Sequence, residues 1–128
     1  MFTIREIEDA HQKVKTGADF PRYILDIKDI GVLGFEFQVK DGREIYFGKQ
    51  GSASSDAKYP ELKIQERVNI DEFKNELIRH QEGRTNFDEF VKMCAETGIA
   101  SWKVNLELNT CIYYDLGHHE VLQENINF

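Results

Sequence analysis

Five side chains could bind a ligand, and four of them lie in or beside one glycine- and serine-rich stretch, residues 48–59. The candidates are Tyr46, Ser52, Lys58, Tyr59 and His80. Backbone N–H groups of such a loop can bind an anion, and Lys58 would supply the counter-charge. The loop is not a P-loop, because it does not contain the pattern G-x-x-x-x-G-K-[ST]. The sequence predicts either a ligand site beside this stretch or a plain mobile loop.

Two histidines could instead act as a general base. His80 lies late in a predicted helix beside Arg79, and His11 occupies the corresponding place earlier in the chain. A tyrosine or lysine from residues 48–59 would be the partner of either histidine. The helix dipole alone also favours a histidine at the end of a helix, so a structural role is the alternative for His80.

The sequence predicts no metal site, no cofactor and no identifiable catalytic residue. His118 and His119 are adjacent, so they point in different directions, and no H-x-x-x-H or H-E-x-x-H spacing is present. Cys94 lies on the apolar side of a predicted helix and is expected in the core. Cys111 is expected on an outward and more accessible strand position, without a basic sequence neighbour to activate it.

Composition limits the class of protein. A chain of 128 residues with 41% hydrophobic residues is expected to fold as one domain, residues 1–128. Its net charge of −7 argues against nucleic acid as the main partner. No stretch is long and apolar enough to cross a membrane, and no secretory signal precedes the two cysteines, so a cytoplasmic protein with reduced thiols is expected.

One segment of the chain occurs twice without a gap. Residues 20–48 and residues 87–115 share a helical spacing, a glycine, an alternating strand and a second strand. Gly31 corresponds to Gly98 in this alignment. The repetition predicts an internal duplication, with units at about residues 1–66 and 67–128.

Each unit reads as two helices followed by strands. Capping patterns at Thr3, Asn69 and Asn86 predict helix starts. Apolar alternation from Leu33 and again from Trp102 predicts strands that are half buried. These observations predict returning strands at residues 44–48 and 110–115, a short third strand at residues 62–64, and its counterpart at residues 121–122.

The fold class that follows is α+β. Two helix–helix–strand–strand(–strand) units are expected to form one antiparallel sheet with four helices on one face. The other face is expected to be semi-polar, and the alternatives for it are a docking surface, a homodimer interface or a solvated surface. It would carry Glu36, Gln38, Tyr46, Lys103, Asn105 and Tyr113. An edge strand is the other candidate for dimer contacts.

Several motifs resemble a known family. They are the segment from His11 to Pro21, the Asp41-Gly42 hairpin, Ala57-Lys58-Tyr59, and His80-Gln81-x-Gly83-x-Thr85. Together they resemble a family of small bacterial proteins of unknown function, some of which carry the label "phage envelope protein". The resemblance covers nearly the whole chain and implies a small, soluble, stand-alone protein without assigned catalytic residues.

The sequence favours a binding or regulatory module for a small molecule or a protein, with its site near residues 48–59. The first alternative is a small enzyme with His80 or His11 as general base. The second alternative is a structural or phage-associated interaction protein, which would show a flat apolar patch and no concave polar pocket.

Overall fold

Within residues 1–14 and 19–126, which the computed structural model describes, the chain forms four helices and six strands. The helices are α1 (Ile4–His11), α2 (Phe20–Asp29), α3 (Ile70–Gln81) and α4 (Phe87–Thr97). The strands are β1 (Gly34–Gln38), β2 (Glu44–Gly48), β3 (Gly51–Ser54), β4 (Ser101–Asn105), β5 (Thr110–Tyr114) and β6 (Glu120–Asn125). None of the helices in this described part is long and apolar enough to cross a membrane.

Side-chain capping fixes the helix starts that the sequence predicts. The Thr3 hydroxyl accepts from the Glu6 backbone N–H, and the Glu6 carboxylate accepts in return from Thr3. Asn86 and Glu89 make the same reciprocal pair at the start of α4. These bonds satisfy N–H groups that a helix leaves without partners in its first turn.

The strands form a single antiparallel sheet in the order β3-β2-β1-β4-β5-β6. The two central strands, β1 and β4, bring together the two halves of the chain. The predicted α+β class is therefore confirmed. The predicted internal duplication stays a prediction, because a strand order that duplicated units would produce does not by itself establish duplication.

The helices cover the sheet face that carries Phe35 and Phe37. Phe37 stacks on Trp102 of β4 with 4.4 Å between ring centroids, and Phe87 of α4 meets Phe37 edge-on at 5.5 Å. Phe73 of α3 contacts Tyr113 of β5 at 5.0 Å. Phe37, Phe73, Trp102 and Tyr113 belong to one continuous apolar core between helices and sheet, and Phe87 lies against it while half exposed.

The predicted positions of Tyr46 and Tyr113 on the open face are wrong. Both tyrosines lie under the helices, with 4% and 6% of their surface exposed. Because β2 carries apolar side chains on both faces, its alternation does not determine which face is buried. The register does: Tyr46 lies opposite Phe35, and directly paired residues share one face.

The predicted accessibility of Cys111 is wrong for the same reason. Cys111 lies opposite Val104 on the helix-covered face and is 4% exposed. Burial raises the pKa of the Cys111 thiol to about 12. Cys94 is fully buried in α4, so its predicted place in the core is confirmed.

The third strand does not lie at residues 62–64. β3 lies at Gly51–Ser54, inside the stretch predicted to be a flexible loop, and pairs with β2 as β6 pairs with β5. Residues 121–122 do lie in a strand, β6, but their counterpart is β3 and not residues 62–64. Small residues with low strand propensity form β3 because the edge of β2 offers unpaired backbone groups, and because Ala53 leaves room opposite Tyr46.

Gly98, at the end of α4, lies close to the backbone of residues 67–68, and a substitution there tests this close approach. Its φ is +89°, and an added Cβ would lie 2.7 Å from the Arg67 carbonyl oxygen and 2.9 Å from Cα of Val68. Gly83 has a similar φ of +79° and no heavy atom within 4 Å of such a Cβ. We expect Gly83→Ala to cost about 1 kcal/mol of unfolding free energy and Gly98→Ala about 2–5 kcal/mol.

Urea denaturation of the two variants checks this expectation. The Gly83 variant is the control for left-handed backbone strain without steric overlap. Equal losses in both variants would contradict the close approach of residues 67–68 to Gly98.

Candidate functional site

Glu44, the first residue of β2, lies where several of the predicted site residues meet. It pairs with Phe37 across the sheet, so its side chain faces the helices, and that side chain is 17% exposed. The Lys58 ammonium lies 2.5 Å from Glu44 Oε1, and the Tyr46 hydroxyl donates to Oε2. A carboxylate buried to this degree needs such partners, because its desolvation is otherwise costly.

The hydrogen-bond chain continues from Tyr46 to Tyr23 of α2. Their hydroxyl oxygens are 3.3 Å apart. Because the proton of Tyr46 goes to Glu44, Tyr23 is the donor in this second bond. Burial raises the pKa of Tyr23 to about 12, and it raises that of Tyr46 further, with the Glu44 charge acting in the same direction. Both hydroxyls therefore stay protonated at neutral pH.

Beside this chain lies a cavity of about 200 Å³, called here the inner cavity. Its walls are mostly aromatic, with a few polar groups. It is lined by His11, Tyr23, Phe35, Phe37, Glu44, Phe87, Trp102, Val104 and Ile126. Phe87 is 50% exposed and His11 is also exposed, so the cavity meets solvent at these two residues.

His11 joins the site through α1. Its ring contacts Tyr23 edge-on, with 5.1 Å between centroids, and it lines the inner cavity together with Glu44. One of the two predicted general-base candidates therefore contacts a phenol and lines the same cavity as an acidic group.

A second concavity of about 530 Å³, the outer groove, is lined by Lys58. It runs between residues 58–62 and the α4 residues Asp88, Val91 and Lys92. The Tyr59 hydroxyl donates to the Val39 carbonyl at 2.6 Å, and burial raises its pKa to about 12. Tyr59 thus anchors the segment after β3, and its hydroxyl is already engaged.

The remaining predicted candidates lie apart from the inner cavity. Ser52 is exposed in β3 and lies opposite Phe47, which places it on the open face of the sheet. His80 stacks on Phe90 at 4.3 Å, and its Nδ1 lies 3.0 Å from the Thr85 hydroxyl. The structure brings together Tyr46, Lys58 and His11 but not Ser52 or His80.

The histidine pair near the C-terminus is engaged locally. His118 stacks on Tyr114 at 4.2 Å, and Nδ1 of His119 lies 3.2 Å from an Asp115 carboxylate oxygen. Within residues 1–14 and 19–126, no group of three or more histidine, cysteine, aspartate or glutamate side chains is arranged to hold a metal ion.

Sequence reasoning missed Glu44 and the aromatic walls. Glu44 reads as a solvent-facing strand residue when Ile45 and Phe47 are placed inward. Phe37 and Trp102 read as ordinary core residues, and their spacing does not indicate a cavity between them. One signal was available in the sequence. Residues 44 and 46 lie on the same face of a strand, so an inward Tyr46 would have placed Glu44 inward as well.

The buried tyrosines predict a loss of stability in alkali. A tyrosine whose folded pKa lies above its unfolded value of about 10 stabilises the fold fully below that pH. This contribution is lost as pH rises through about 10 to about 12, because the unfolded chain releases the proton first. Tyr23→Phe should therefore show a shallower fall of unfolding free energy over this range than the wild type.

Urea denaturation at a series of pH values checks this prediction. The two proteins should give parallel curves at neutral pH, where neither state releases the tyrosine proton. Identical alkaline slopes would contradict the burial of the Tyr23 hydroxyl.

Comparison with known proteins identifies the family. No curated protein matches the chain. A family model described as "Protein of unknown function (DUF1398)" matches residues 8–125. This match confirms the predicted resemblance to a family of unknown function. The phage label stays untested. Residues 15–18 of the motif from His11 to Pro21 lie outside the described structure. The chain belongs to the family described as "Protein of unknown function (DUF1398)".

Proposed function

We propose that this protein is a binding module for a small molecule with one aromatic or apolar ring, which it takes up in the inner cavity. The observation that carries the proposal is the composition of this cavity, with aromatic walls on several sides and the Glu44 carboxylate on one wall. Apolar walls with a few convergent polar groups are typical of small-molecule sites. Residues with perturbed pKa values, here Tyr23 and Tyr46, often accompany such sites.

The volume sets the size of the ligand. A cavity of about 200 Å³ is smaller than the roughly 300–1,000 Å³ of pockets for drug-sized ligands. It suits one ring with a short polar chain. An apolar core normally packs without such a space, since cavities cost roughly 24 cal/mol per Å³ when they are closed. The inner cavity is instead open to solvent beside Phe87, so a small ligand can enter it.

The predicted stretch of residues 48–59 contributes to this site at its end. Lys58, in the segment after β3, binds one oxygen of the Glu44 carboxylate, and the Tyr46 hydroxyl donates to the other oxygen. Of the five side chains predicted from the sequence to bind a ligand, Tyr46 and Lys58 are proposed as residues of the binding site. Tyr59 is proposed as the anchor of the segment that carries Lys58.

The outer groove is larger but fits a small ligand less well. Most of the side chains that line it, among them Glu61, Asp88 and Lys92, are exposed to water. Exposed polar groups gain little from a ligand because water competes for them. The inner cavity offers the greater apolar burial per ligand atom.

A cavity-filling variant tests the proposal. Val104 lines the cavity and is 6% exposed, so Val104→Phe should fill part of the space and abolish ligand binding. Ile78→Phe, on the exposed side of α3, is the matched control. Trp102 is the only tryptophan of the chain and lines the cavity, so its fluorescence reports occupancy directly.

Three single-ring probes with different polar groups are 2-phenylethylamine, 2-phenylethanol and 3-phenylpropionate. At least one should change Trp102 fluorescence and raise Tm in wild type and Ile78→Phe, but not in Val104→Phe. At one hundred times Kd the ligand adds about 2.7 kcal/mol to the unfolding free energy. Binding that persists unchanged in Val104→Phe would refute the inner cavity as the site.

A second candidate function, a small enzyme, is favoured by the position of His11 in the cavity wall. A general base beside a bound carbonyl compound would remove a proton from the neighbouring carbon. Deuterium exchange of 4-phenyl-2-butanone in D₂O, followed by NMR, tests this role. Exchange that is accelerated by wild type and lost in His11→Gln supports an enzyme, whereas no acceleration by wild type contradicts it.

A further inference from the structure

We infer that the ligand of the inner cavity is an aromatic ammonium, a ring with a protonated primary or methylated amine, and that this ammonium competes with Lys58 for the Glu44 carboxylate. The inference rests on the proposed function and names the ligand class for the same cavity. It follows from the charge and the wall chemistry of the cavity together with the contacts of Glu44.

Charge is the first argument. Glu44 is the one acidic side chain among the described residues that line the cavity, and no lysine or arginine is among them. The chain as a whole carries a net charge of −7. Of the Glu44–Lys58 pair only Glu44 lines the cavity, so a bound carboxylate would meet the acidic partner, while a bound ammonium would be attracted by it and by the overall field.

The cavity wall is the second argument. Tyr23, Phe35, Phe37, Phe87 and Trp102 all contribute rings to it. The faces of aromatic rings carry negative electrostatic potential and attract cations within about 6 Å of the ring centre, with tryptophan the strongest partner. Aromatic walls and a carboxylate therefore select the same class of ligand, a cation with an apolar body.

The Glu44–Lys58 pair is the third argument. Lys58 Nζ lies 2.5 Å from Glu44 Oε1, so the carboxylate already binds an ammonium in the free protein. The Lys58 side chain is 48% exposed, and a ligand ammonium would replace the positive charge that the 17% exposed Glu44 side chain needs. Lys58 can therefore withdraw into solvent at low cost when a ligand ammonium arrives.

Glu44 also keeps acceptor capacity for an incoming donor. An ionised carboxylate has about four lone-pair sites. Among the described residues, Glu44 accepts one hydrogen bond from Lys58 and one from the Tyr46 hydroxyl. The Tyr46 hydroxyl, held protonated by burial, keeps the second oxygen oriented while the first exchanges Lys58 for the ligand.

The three probes separate ligand class from site. Binding is measured by Trp102 fluorescence and calorimetry at neutral pH, where 2-phenylethylamine is a cation, 2-phenylethanol is neutral and 3-phenylpropionate is an anion. We expect the amine to bind about tenfold more tightly than the alcohol, because an ion pair with Glu44 replaces a hydrogen bond from an uncharged donor. The anion should bind most weakly.

Two variants assign this preference to Glu44 and Lys58. Glu44→Gln keeps the shape and an acceptor for Tyr46 but removes the charge, so the amine should lose its advantage over the alcohol. Lys58→Ala removes the competing ammonium and should tighten amine binding by up to about fivefold. Lys40→Ala is the matched control, since Lys40 pairs with Glu61 in an exposed pair outside the cavity and its loss changes the net charge equally.

The outcomes are distinguishable. Tightest binding by 3-phenylpropionate, weakened in Lys58→Ala, would overturn the inference and make Lys58 an anion anchor. Equal binding of all three probes, blocked by Val104→Phe, would overturn the ligand class and leave the cavity as the site. Failure of every probe to bind the wild-type protein would refute both proposals. A Tm of Glu44→Gln close to that of the wild type shows that loss of charge, and not unfolding, causes its effect.

Discussion

The register between β1 and its two neighbours is the constraint on which the structure depends. Phe35 and Phe37 lie opposite Tyr46 and Trp102, so these rings must share one face of the sheet. The helices bury that face, and a slip of one residue would move every ring to the other side. The same register turns Glu44 toward the helices, which makes its carboxylate part of an otherwise apolar layer.

A charged group in this position has to be stabilised, and its partners come from distant parts of the chain. Lys58 and Tyr46 bind Glu44 directly, and Tyr23 of α2 supports Tyr46. Packing alone would favour an apolar residue there, since buried ion pairs are seldom better than well-packed hydrophobic side chains. A carboxylate beside an open aromatic cavity is consistent with a functional site that is maintained at some expense of stability.

The sequence predicts the elements well and their faces poorly. Local capping at Thr3 and Asn86 and clear periodicities determine helix starts and the α+β class, because these signals act within a few residues. The inward face of β2 could not be predicted, since Ile45 and Phe47 compete with Tyr46 for burial. β3 could not be predicted either, because Gly51–Ser54 become a strand only through pairing with β2. Lys58 and Tyr46 were predicted as site residues, but Glu44, which joins them, becomes visible only in the folded chain.

The most direct test of the account is to locate a bound probe by intermolecular NOEs. With 2-phenylethylamine bound, we expect NOEs from the ring protons of the probe to the Trp102 indole and the Val104 methyl groups, both in the inner cavity. NOEs to Tyr59 and Val91 instead would place the probe in the outer groove. That result would show that the aromatic cavity beside Glu44 is not the binding site.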